Sequence, residues 1–129
     1  MTSLDRDAAI SRAKTAVARA SADYQKPLKR TIAEFEAALV ADDSKTALRV
    51  AQNLAGEAGG FGWPAVSALA SALRDILETP ASEKRKQALS HGADALNRLV
   101  AENERELTDN VKQLVAQLTL VKDVLGSRT

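Results

Sequence analysis

The chain has 129 residues, no cysteine, and 18 basic against 17 acidic side chains, for a net charge of +1. That near balance argues against a general nucleic-acid binder, which carries a marked basic excess, and the missing thiols exclude a disulfide framework and a thiolate metal site. A single domain of this length, rich in alanine and leucine with aromatics at only 3%, points to an all-α fold with a modest core.

Residues 4–24 read as a first helix, with Ser3 as cap and Asp5 and Asp7 at the positive end of its dipole. Its apolar stripe (Ile10, Ala13, Val17, Ala20, Tyr24) is thin, so the helix is expected to lie on a bundle rather than inside one. The start, MTSLDRDAAI, is polar and mixed in charge, unlike a secretory signal, and no apolar run is long enough to span a membrane. A soluble cytoplasmic protein is the expectation. Pro27 reads as the first turn of a new helix. That second helix covers about 27–41, with Leu28, Ile32, Phe35 and Leu39 facing inward. Asp42, Asp43 and Ser44 form a short turn and supply a cap for the next helix, and so short a turn makes the two helices antiparallel.

The third helix starts at 44 and ends within the glycine-rich run GEAGGFGWP. Leu48, Ala51, Leu54, Ala58 and Phe61 recur at helical period. The opposite stripe is Lys45, Arg49, Gln52, Gly56 and Gly59: polar heads first, bare backbone after. A glycine inside a helix costs about 1 kcal/mol against alanine. Gly56 therefore marks a face that something approaches closely, either a neighbouring helix or a partner. Phe61 and Trp63 are expected to plug the end of the core. Pro64 opens the fourth helix, with Val66, Leu69, Ala70, Leu73, Ile76 and Leu77 inward.

Thr79-Pro80 separates it from a fifth helix over about 80–102, with Leu89, Ala93, Leu96 and Val100 inward. Leu107, Val111, Leu114, Leu118, Val121 and Leu125 then continue at heptad-like spacing, with Asn103 and Glu106 as a cap and its box partner. Residues 103–126 are either a sixth helix folded back onto the core or an extension of the fifth. The stripe either completes the core or forms a homodimer or kinase-contact seam. The resulting architecture is an antiparallel up-and-down four-helix bundle (27–102) with an added N-terminal helix (1–26) and C-terminal amphipathic helix (103–129) in one domain.

The run ALRVAQNLAGEAGGFGWPAVSALASAL resembles the histidine phosphotransfer (HPt) domain of bacterial phosphorelays. The family pattern is roughly Ala-His-x-Leu-(Lys or Ala)-Gly-x-Ala-Gly-x-Phe-Gly, and Ala51, Leu54, Ala55, Gly56, Ala58, Gly59, Phe61 and Gly62 stand in that register. The likeness extends over about residues 24–78. The phosphoacceptor histidine of the family would fall at 52, where this chain has Gln52, and Arg74 stands where the family often has an acidic residue.

The resemblance implies a phosphate carrier. Its imidazole would attack the aspartyl phosphate of a response-regulator receiver domain, and the receiver would supply Mg²⁺ and most of the catalytic groups. The carrier itself would need no cofactor. Gly56, one turn after position 52, fits the small residue that lets phosphorus approach. A carboxamide nitrogen is a poor nucleophile, because its lone pair is delocalised into the carbonyl, whereas neutral imidazole keeps one lone pair free. Gln52 is also uncharged and does not imitate phosphohistidine.

The expected function is therefore an HPt-like signalling protein without its phosphoacceptor, binding receiver domains as adaptor or decoy through Lys45, Arg49, Gln52, Gly56 and Gly59. Lys45 and Arg49 would act on the acidic site of the receiver, changing association rate more than affinity. Two alternatives stand beside it: an active carrier whose histidine has been replaced by Gln52, and a structural module that dimerises through residues 107–125. His91, the one histidine, lies outside the motif beside Gly92 and points sideways or out. The basic runs Lys84-Arg85-Lys86 and Lys26, Lys29, Arg30 read as solvated faces, without the interleaved aromatics of a nucleic-acid site. No nucleophile–base pair, metal site or P-loop is legible, so an enzyme is not expected.

Overall fold

A computed structural model of the chain describes the backbone of residues 3–126 and the side chains of residues 8–12 and 24–126. Among the described residues there are five α-helices and no strand. They are α1 (Ser3–Val40), α2 (Ser44–Glu57), α3 (Pro64–Leu77), α4 (Glu83–Ala101) and α5 (Asp109–Gly126), with a 3-10 turn at Gly59–Phe61 between α2 and α3. The all-α fold is as expected.

The second half of α1 with α2, α3 and α4 closes a ring in which each helix packs on the next and α4 returns to α1, while α2 and α4 stand diagonally with their backbones apart. Gln25, where α1 enters the ring, donates from Nε2 to the Val100 carbonyl near the end of α4 at 3.0 Å, while Asp42 just past α1 pairs with Lys86 near the start of α4 at 3.7 Å, so the two helices run antiparallel. Leu28, Ile32, Phe35, Leu54, Trp63, Leu69, Leu73, Ile76 and Leu96 are fully buried in one shared core. The expected inward residues of the second, fourth and fifth predicted helices all face it, Leu39 only in part. On α2 the core face also includes Ala47 and Val50, whereas Leu48 is only half-buried.

Pro27 does not start a helix; α1 runs through it. Proline removes one amide and crowds one carbonyl in the preceding turn. Pro27 is exposed, with Leu28, Ile32 and Phe35 just beyond it in the core, and packing holds the helix across the break. The division at residue 26 is therefore corrected to a single helix of 38 residues. Residues 8–12 are all exposed, Ile10 at 48%, so this stretch is not laid against the bundle. Ala13, Val17 and Ala20 of the expected stripe lie outside the described side chains.

The ends of two helices share one device. The amides of Asp42 and Asp43 donate to the carbonyls of Leu39 and Ala38 at 3.2 and 2.8 Å, and those of Asn103 and Glu104 donate to Val100 and Leu99 at 3.2 and 2.8 Å. Asp42 and Asn103 take the left-handed conformation this closure requires, at φ 54° and 55°. Asn103 therefore stops α4 and does not cap the next helix. The expected Asn103–Glu106 box is replaced by Thr108, whose hydroxyl accepts from the Val111 amide at 3.3 Å. Likewise α4 begins after Ser82, whose hydroxyl accepts from the Arg85 amide at 3.1 Å, rather than at Pro80.

α5 folds back along α3 and α4. Val111, Leu118 and Leu125 are buried against the core, Leu114 and Val121 pack against it in part, and Leu107 is 38% exposed. Of the two readings of residues 103–126, the folded-back helix is the one observed.

At the end of the bundle where α2 begins, Arg85 departs from the solvated face expected for its basic run. It is buried, and its guanidinium donates to the Thr79 carbonyl at 2.6 Å and to the Ser44 hydroxyl at 2.7 Å. Both partners are neutral acceptors at helix boundaries, so the planar fork ties the α3–α4 turn to the start of α2. Lys84 and Lys86 stay exposed, as do Lys26, Lys29 and Arg30.

Candidate functional site

α2 positions the candidate residues. Asp43 caps it, its carboxylate accepting from the Thr46 amide at 3.2 Å. Hydrogen bonding to Thr46, with lesser help from Arg49 and Lys45, holds the Asp43 carboxyl below its ordinary value and keeps it ionised. Ala47, Val50, Ala51 and Leu54 anchor the helix on its core side. The opposite side carries Lys45, Arg49, Gln52 and Gly56, all exposed. Gly59 is also exposed but lies just past the helix, in the 3-10 turn.

Lys45, Thr46, Leu48, Arg49 and Gln52 line one shallow depression. Its floor is partly apolar through Leu48, and its rim holds two cations and a carboxamide. Gly56 continues the face. A Cβ at Gly56 would meet nothing within 4 Å, so among the described residues no neighbouring helix accounts for the glycine. A Cβ at Gly59 would make only ordinary contact with Ser67, at 3.6 Å from its Oγ. Beyond them Gly62, at φ 86°, turns the chain toward Trp63 and Pro64.

The two aromatics at this end separate. Trp63 is fully buried, with the Arg105 guanidinium 5.4 Å from its ring centre. Phe61 is 43% exposed and stacks on Tyr24 of α1, ring centres 4.4 Å apart and planes 13° from parallel. Phe61 is therefore not the core plug expected of it. The core is already closed by Ala58 and Trp63, and Phe61 instead joins α1 to the end of α2. Helical spacing puts Tyr24 on the thin stripe of the first helix but does not indicate its pairing with Phe61. Burial first, and the Glu57 carboxylate second, raise the Tyr24 phenol above its ordinary value.

His91 lies on α4, the helix diagonal to α2, where it is exposed over a groove lined with Lys84, Gln87, Ala88, Leu114, Gln117, Leu118 and Val121. It is thus on a different side of the ring from Gln52. Gly92 does not make room beside it, because that glycine faces inward onto Leu73. Arg74 bridges to Asp75 at 3.2 Å and donates to the Ser71 hydroxyl at 3.1 Å on its own helix. Among the described residues no cluster of potential metal ligands occurs, and no helix is long and apolar enough to cross a membrane.

The model of the Hpt domain family matches residues 21–118, from the end of α1 that enters the bundle to the middle of α5, and the chain belongs to that family. Membership places it in phosphorelay signalling, where Hpt domains interact with receiver domains and kinases as carriers rather than catalysts. No curated protein and no solved structure matches the chain.

Proposed function

We propose that this chain is an Hpt protein without a phosphoacceptor, docking receiver domains through the outer face of α2 as adaptor or decoy. The observation that carries the reading is the exposure of Gln52 on α2, one turn before a glycine with open space around it. Lys45 and Arg49 lie in the same depression and would meet the acidic site of a receiver. Gln52 keeps the helix and offers hydrogen bonds, but no nucleophile. His91 faces another side of the bundle and would not substitute for it. The stripe proposed as a dimer seam buries Val111, Leu118 and Leu125 within the chain itself, which leaves little of it for a second copy.

The test is phosphotransfer from a panel of phosphorylated receivers to this chain and to Gln52→His, side by side. No label on the first and acid-labile label on the second is expected. The active-carrier alternative predicts the same restoration, and the encoding gene separates the two by showing which residue is native at 52. Label on the unaltered chain, mapped to His91, overturns the proposal.

A further inference from the structure

We propose, building on the receiver-docking reading above, that the α2 face is selective for the phosphorylated form of the receiver, with Arg49, Lys45 and Gln52 donating hydrogen bonds to the phosphoryl oxygens of its aspartyl phosphate. The argument rests on what lines the depression. Lys45, Arg49 and Gln52 end in ammonium, guanidinium and carboxamide groups, and no carboxylate joins them there. Before its last residue, Glu57, α2 bears two charges, Lys45 and Arg49, both positive. Asp43, just before the helix, is committed to capping it and does not line the depression.

Spacing makes the three donors one set. Arg49 lies four residues after Lys45 and three before Gln52, so each is the neighbour of the next on one helix face. A guanidinium presents paired N–H groups that match phosphoryl oxygens, and a charged donor is stronger than a neutral one. Phosphorylation would add a group of nearly two negative charges to the receiver's acidic site, where these donors would meet it beside Gln52. The bare backbone at Gly56 leaves space for it. With an amide in place of imidazole no bond to phosphorus forms, and the phosphoryl group stays on the aspartate.

Titration calorimetry against a panel of receivers with Mg²⁺, each with and without beryllium trifluoride as the aspartyl-phosphate mimic, tests this. The fluoride-loaded form should bind about tenfold more tightly or better, the size expected of one charge-assisted pair. The ratio should fall toward one in Arg49→Ala and in Lys45→Ala. Both side chains are exposed, and circular dichroism confirms that each variant keeps its helices. Equal affinity for the two forms, tighter binding of the unmodified form, or a preference that survives both substitutions overturns the selectivity and leaves the docking reading standing. Absence of binding to either form overturns both.

Discussion

Gly92 of α4 faces Leu73 of α3 so closely that a Cβ at position 92 would overlap Leu73 Cδ2 and stand 3.0 Å from its Cγ. Leu73 is fully buried in the core, so it must shift among packed neighbours to admit the methyl group. Gly92→Ala should therefore destabilise the fold by about 1–3 kcal/mol from overpacking, less the gain in helix propensity of about 1 kcal/mol. Gly56→Ala should do the opposite, stabilising by about 0.5–1 kcal/mol, because its Cβ would enter open space. Urea unfolding of the two variants reads both signs. If Gly56→Ala also weakens receiver binding while raising stability, the glycine is held for docking rather than for folding.

Arg85 joins two turns through neutral acceptors, Thr79 at 2.6 Å and Ser44 at 2.7 Å. Arg85→Ala should cost about 2–3 kcal/mol, since hydrogen bonds from a charged donor are each worth about 1.5–3 kcal/mol and are not fully additive. Arg85→Lys should recover only part, because an ammonium does not span both acceptors as a planar fork does. Ser44→Ala should cost less than Arg85→Ala, and a double-mutant cycle should show the two residues coupled.

Tyr24 is the one tyrosine, so its titration is visible without interference from another phenol. Tyrosinate absorbance in the folded chain should rise at a pH above the ordinary value of 10.0. Glu57→Gln should lower the midpoint only in part, because burial is the larger cause. A folded pKa raised above the unfolded one gives stability that is complete below about pH 10 and is lost as pH climbs through the folded value. The urea midpoint should therefore drop more steeply above pH 10 in the unaltered chain than in Tyr24→Phe.

Leu118 is 3% exposed, seated where α5 covers the ring. Leu118→Ala should lower stability by about 2–4 kcal/mol, the range for a large-to-small change in a core. The loss should be independent of protein concentration, since the contacts are within one chain. A loss that shrinks as concentration rises, or a dimer on size exclusion that disappears when the chain ends near residue 103, would reinstate the dimer seam.

The helices and their inward faces were legible because period and burial are the same information: Val66, Leu69, Leu73 and Ile76 on α3 and Leu89, Ala93, Leu96 and Val100 on α4 face the core as their spacing requires. The α2 surface was legible too, since Lys45, Arg49, Gln52 and Gly56 share a face by register alone. Pro27 misled, because a breaker signal is local and the packing that overrides it is not. Asn103 misled for a related reason: one residue type serves both to open a helix and to close one, and only its φ of 55° tells which.

The amino-acid order by itself determined the all-α class, the likeness to the Hpt family and the poor nucleophilicity of the Gln52 carboxamide, because these depend on residue identity at fixed spacing. The tertiary structure alone decided which residues meet across the fold: Phe61 with Tyr24, Arg85 with Ser44, Leu73 with Gly92, and α5 with α3. Such meetings join residues far apart in the chain, and no local pattern encodes them; they follow from how whole helices settle against one another to bury their apolar faces.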